Sequence, residues 1–240
     1  MLETQIIIGI PGNWKNRTEI IQSVVSKSEG YLMAGNIIHN SQKNIGFQVE
    51  VYDHDPNLKE AFIYASRDTF QHTLLDNIEH HTFTIYIIAD AKSIEDVKEV
   101  VDVGVGLLKA GGLAVKIESS GVAYTKEDWN ELHSNKDIFP LYSHFVTLIG
   151  ENECYFSCGM KAFGLPDVVI SSTIDPEEAA DILNNFNLYN IVENPTFNNG
   201  ETFSVGEDTP VLKITAVNDF RYDEVDLFYN PFGLLELKPI

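Results

Sequence analysis

The stretch Gly111-Gly-Leu-Ala-Val-Lys-Ile-Glu-Ser-Ser-Gly-Val-Ala-Tyr-Thr-Lys-Glu-Asp-Trp129 decides how the chain is divided. Its glycine pair marks a helix end, because glycine takes the left-handed conformation at little cost. Leu113, Val115 and Ile117 alternate with Ala114, Lys116 and Glu118, the period of a half-buried strand. Ser119-Ser120-Gly121 is a turn, and Thr125 with Asp128 reads as the capped start of a helix carrying Trp129 and Leu132.

Upstream, Gln5–Ile10 is an apolar run ending in Gly9, Pro11 and Gly12, a buried strand, and Asn16 with Glu19 predicts a capped helix ending near Gly30. Strands are expected over 31–38 and 46–52, a helix from Asp55-Pro56 to Ile78 with a break near Arg67, and a strand over 82–89. That order is β-α-β-β-α-β, a split βαβ arrangement. Ser93 and Asp96 open a further helix, which Gly111 closes.

Downstream of Trp129 the pattern predicts a short helix near 139–145, strands at 146–149, 153–158 and 167–171, a helix from Asp175-Pro176 to about Tyr189, and a strand over 211–217. From Leu113 the order of principal elements repeats. The expected fold is therefore α+β, two ferredoxin-like halves forming a pseudo-duplication within one compact unit. The boundaries are 1–92 and 93–240, with a β-rich tail over 193–240 that includes strands at 226–229 and 234–237. No residue-level identity links the halves.

The chain has 240 residues, 44% of them hydrophobic, which suits a globular protein. Sixteen basic and 36 acidic residues give a net charge of −20, which would repel a phosphate backbone. Nucleic acid is thus not an expected partner, and a basic protein is. The first residues lack the pattern of a secretory signal, and no apolar run approaches the roughly 20 residues of a membrane span. A cytoplasmic location without membrane association is the expectation.

Motifs that carry chemistry fail on spacing. Gly9-Ile-Pro-Gly12 follows a strand, where phosphate loops sit, but Lys15 and Thr18 are displaced from phosphate-loop positions. Asp53-His54-Asp55-Pro56-Asn57 imitates a calcium loop, yet Leu58 stands at its glycine position and Tyr64 at its glutamate position. His72, His80 and His81 lack metal-dyad spacing, and Cys154 and Cys158 have no second pair, so neither a metal nor a cofactor is expected. Cys154 or Cys158 with His144 would make a thiolate-imidazole pair oriented by Glu153 or Asp167, against the plainer reading of structural cysteines. Ser119-Ser120-Gly121 lacks the nucleophile elbow.

The stretch 111–129, followed by Cys-Gly-Met-Lys-Ala-Phe-Gly-Leu-Pro-Asp-Val-Val-Ile-Ser at 158–171, resembles the bacterial family catalogued as domain of unknown function 4261. The later segment carries the family pattern as Gly159, Met160, Phe163, Gly164, Leu165, Pro166 and Asp167. The resemblance covers about 82–190. It implies a soluble bacterial α+β protein and supplies no catalytic residues.

Two functions follow. The favoured one is a non-enzymatic protein-interaction module, immunity-like or regulatory, using the acidic surface. The other is an enzyme or small-ligand binder with a pocket between the halves, lined by Ser119, Ser120, Trp129, His144 and Cys158.

Overall fold

The structure, a computed structural model, describes residues 4–151, 153–206 and 209–240. Its α+β elements fall into two compact units. One comprises residues 5–90 and 95–136; the other comprises Thr4, residues 91–94 and residues 137–240.

The first unit is built on β1 (Gln5–Gly12), whose alternate residues Ile6, Ile8 and Ile10 are fully buried. After α1 (Arg17–Lys27) come β2 (Tyr31–Ala34), β3 (Ile37–Asn40) and β4 (Ile45–Asp53), a meander. The segments α2 (Leu58–Ala65) and α3 (His72–Glu79) precede β5 (Phe83–Asp90), and α4 (Ile94–Lys109) leads to the hairpin of β6 (Ala114–Ile117) and β7 (Val122–Thr125). The last helix of this unit is α5 (Lys126–Ser134). The seven strands run β2-β3-β4-β5-β1-β6-β7, and every pairing is antiparallel.

Local chemistry sets the helix starts. Asn16 accepts from the Glu19 amide at 3.0 Å, and Thr125 and Asp128 form a reciprocal capping box. The expected helix over 55–78 divides because Arg67 and Asp68 both adopt positive φ, a conformation no helix interior accommodates. Gly9 and Gly12 lie within β1, paired to Tyr86 and Phe83, so this glycine pair is part of a strand and forms no loop.

The second unit begins with α6 (Ile138–Phe145) and continues through β8 (Thr147–Glu151), β9 (Cys154–Cys158) and β10 (Asp167–Ser171). Then come α7 (Pro176–Glu193), β11 (Thr202–Phe203), β12 (Leu212–Val217) and β13 (Leu234–Pro239). The strand order is β11-β12-β13-β10-β9-β8, with β10 and β13 parallel. One face of α7, through Ala179, Ile182, Leu183 and Phe186, packs on Val168, Ile170, Leu212, Ile214 and Leu237. Each large apolar side chain so buried contributes about 1.5–3 kcal/mol.

The ferredoxin-like expectation requires correction. In a split βαβ sheet the first strand lies between the third and the fourth, whereas β5 pairs with β1 along all eight residues of β1 and separates it from β4. The two sheets differ in strand number, order and direction, so they are not copies of one arrangement. Nor does Leu113 open a second sheet: β6 hydrogen-bonds to β1 and extends the first. Residues 226–229 form turns instead of the expected strand, because Asp226 bonds its own backbone neighbours.

Candidate functional site

Ser119 and Ser120 occupy the turn between β6 and β7, both buried, and Gly121 closes that turn at φ 68°. The Ser120 hydroxyl has no hydrogen-bond partner among the described residues. Trp129 is fully buried on α5; its indole ring lies against Gly104 of α4, and Nε1 donates to the Val101 carbonyl at 3.1 Å. Ser119, Ser120 and Trp129 therefore belong to the first unit, whereas His144 and Cys158 belong to the second. His144 Nδ1 stands 2.8 Å from the Pro140 carbonyl one turn back on α6.

Cys158 ends β9 opposite Thr147 and is fully buried. Burial, followed by the Asp167 carboxylate, pushes its thiol up to about 12. A nucleophilic cysteine needs the opposite shift, so the environment of Cys158 favours the unreactive thiol.

Sequence spacing missed a buried ionic cluster beside that cysteine. Arg221 reaches in from the segment after β12, and its Nε and Nη2 engage both oxygens of Asp219 at 2.9 and 2.7 Å. Nη2 also meets Asp167 at 3.2 Å, and Nη1 donates to the Ser157 carbonyl at 2.8 Å. The guanidinium lies 5.0 Å from the Phe156 ring centroid and 5.5 Å from that of Tyr222. The side chains of Arg221, Asp167 and Asp219 are 2%, 1% and 4% exposed, so this is an ion pair withdrawn from water.

The two carboxylates respond differently. Burial, the largest influence, lifts Asp167 above the ordinary range against the pull of Arg221. Burial also opposes ionisation of Asp219, but hydrogen bonds and charge from Arg221 outweigh it and hold that group low.

A second cation works in the reverse direction. Lys161, in the 3₁₀ turn Met160–Phe163, extends its ammonium to the carbonyls of Leu227 and Tyr229, the latter at 3.0 Å. Burial lowers its pKa. Asn230, fully buried, donates to the Leu165 carbonyl at 3.0 Å. Arg221 thus ties the start of loop 219–230 to the sheet, and Lys161 and Asn230 tie its end.

Between these ties the chain is displayed. Asp223, Glu224, Val225, Asp226 and Leu227 are exposed, Val225 at 94% and Leu227 at 51%, and Phe220 beside them is 67% exposed. Turn bonds from Asp226 N to Asp223 O and from Tyr229 N to Asp226 O shape the tip. Phe228 turns inward, its ring 5.5 Å from that of Tyr222. The result is an irregular loop with a fixed base and an acidic, apolar tip.

Of the histidines read together from sequence, His81 pairs with His54 instead. His54 and His81 have ring centroids 4.7 Å apart; His81 Nδ1 donates to the Ile78 carbonyl at 2.6 Å, and its Nε2 accepts from the Asp55 amide at 3.2 Å. That pattern assigns a neutral ring. Among the described residues no group of three His, Cys, Asp or Glu side chains is arranged to hold a metal ion, and no helix is long and apolar enough to cross a membrane.

Residues 156–224 match the family model described as Domain of unknown function (DUF4261). The matched span contains Lys161, Asp167, Asp219 and Arg221, and it begins after the stretch 111–129. No curated protein and no solved structure matches the chain. The glycines of the matched Gly-Met-Lys-Ala-Phe-Gly run have a steric reason: Gly159 has φ 120° and Gly164 φ 75°. A Cβ there would stand 2.1 Å from the Phe145 carbonyl oxygen and 2.5 Å from that of Lys92, respectively. These tight turns set Lys161 and Asp167 beneath the loop.

Proposed function

We propose that the protein is a non-enzymatic binding module, immunity-like or regulatory, whose contact surface is the tip of loop 219–230 and whose partner is a basic protein. The observation that supports this reading is the loop itself. Buried cations are costly unless fully paired, and here Arg221 and Lys161 hold backbone and carboxylates that belong to an otherwise irregular segment. Fixing the base of the loop lowers the ordering cost of binding. The tip then offers Val225 and Leu227 for burial, with Asp223, Glu224 and Asp226 placed to meet positive charge.

The net charge of −20 adds long-range attraction for such a partner and predicts salt-sensitive association. The test is a pull-down at low salt with the native chain and with the double variant Val225→Ser, Leu227→Ser. A basic protein should be retained by the native chain, released at high salt, and lost from the variant. Retention of the same protein by both chains would refute the loop as the contact surface.

A further inference from the structure

A separate feature of the second unit carries a site of different chemistry. An open depression of about 550 Å³ lies where α7 gives way to β11, lined by Tyr189, Pro195, Phe197, Gly200, Glu201 and Phe203 among others. Its aromatic wall is stacked on a fixed base. Phe186 is fully buried in the core and lies 5.2 Å from Phe197, nearly parallel, and 4.9 Å from Phe203, edge to face. Tyr189, 40% exposed, closes the group at 6.4 Å from Phe197 and 6.0 Å from Phe203.

Two negative fields meet this wall. Glu201 is held in place by the side chain and backbone amide of Asn198, at 2.8 and 3.1 Å, and these bonds draw its pKa below the ordinary range. The carboxylate is therefore ionised at neutral pH. The C-terminal end of the 18-residue helix α7 also opens here, capped by Asn194 at φ 45°, with no basic residue in its last turn. Its partial negative charge is left without a cation from the helix itself. Lys213 lies beside one lining residue, its Cε 3.7 Å from where a Cβ on Gly200 would stand.

From this arrangement we infer that the depression binds an organic cation, a quaternary or alkylated ammonium carried on an apolar body. Aromatic faces attract such a cation through their quadrupole, and a poorly hydrated ammonium loses less on leaving water than a primary one. A neutral apolar ligand would use the rings and gain nothing from Glu201 or the helix end. An anion would meet repulsion from both.

The test is an NMR titration of the full chain with choline, compared with the dimethylbutanol in which carbon replaces the nitrogen. Choline should give saturable shifts of the Tyr189, Phe197 and Phe203 ring signals, with the uncharged isostere about tenfold weaker or worse, the scale of a partly desolvated cation–π contact. Phe197→Ala and Glu201→Gln should each weaken choline binding several-fold. Glu201 is exposed, so its variant retains the fold and keeps the test informative should Phe197→Ala unfold. No saturable shift, equal binding of the isostere, or indifference to Glu201→Gln would overturn the inference. Loop 219–230 takes no part in this experiment, so its outcome is independent of the protein-binding reading.

Discussion

The Arg221 guanidinium lies inside the second unit with its donors spread over Asp219, Asp167 and the Ser157 carbonyl. Replacing it with Met would leave two buried carboxylates facing each other, and breaking such a pair costs about 3–5 kcal/mol. Urea unfolding should show that loss for Arg221→Met. Arg221→Lys should recover little, because an ammonium cannot supply the forked contact to Asp219. An unchanged midpoint in either variant would mean that the cluster does not hold the fold.

His81 gives a pH signature. Burial, then the proximity of His54, lowers its pKa below the ordinary 6.5. The unfolded chain takes up a proton near that value and the folded chain resists it. The contribution of His81 to stability is therefore intact well above pH 6.5 and is lost as the pH falls through that value towards the lower folded one. Denaturant titrations should show this decline, flattened in His81→Gln; identical profiles for the two chains would remove His81 as the cause.

The contrast between Cys158 and Arg221 shows what spacing can convey. The cysteine was visible as a candidate because chemistry has known cysteine motifs, yet its surroundings favour the inert thiol. Arg221 passed unnoticed because its partners lie two, 54 and 64 positions away and meet only through sheet pairing. The only local sign was an arginine between aspartates in Asp219-Phe220-Arg221-Tyr222-Asp223.

Among the elements, α4 and α5 offer a test in which two effects have opposite signs. Gly104 sits inside α4, where Ala is ordinarily better by about 1 kcal/mol. However, a Cβ there would lie 2.5 Å from the Trp129 indole nitrogen, so packing opposes propensity. Overpacking costs about 1–3 kcal/mol, and Gly104→Ala should lower the thermal midpoint. A raised midpoint would show that Trp129 yields without cost.

Two helix starts were legible in the sequence because capping is local: Asn16 and Thr125 bond as their spacing predicts, whereas the start expected at Asp55-Pro56 falls at Leu58, where no side chain caps the helix. The β7 strand was not. Val122–Thr125 is too short to announce itself and is fixed by its cross-strand partners Ala114–Ile117. The neighbour of β6 was equally hidden, since the pairing of Ile8 with Ile117 spans more than a hundred residues of chain.

At the scale of the molecule, the excess of acid over base governs how partners approach. If the loop tip meets a basic protein, the association rate should fall steeply between low and physiological salt while dissociation changes less. Stopped-flow measurements would separate the two, and a salt-independent association rate would remove electrostatic attraction from the account. The sequence showed the charge plainly but not where apolar surface would accompany it, because the exposure of Val225 depends on ties made by Arg221 and Lys161.

The place of β13 in the second sheet has a practical consequence. It lies between β10 and β12, parallel to one and antiparallel to the other, and residues 234–239 fall outside the span 156–224 that matches the family model. A fragment cut to that span would contain both flanking strands without the one that joins them. The span matched by the family model and the sheet thus have different borders in this protein. The missing strand is short and extended, and such segments can be supplied as separate peptides through strand addition. The second unit therefore lends itself to a split reporter, silent until a peptide carrying Leu234–Pro239 restores the sheet.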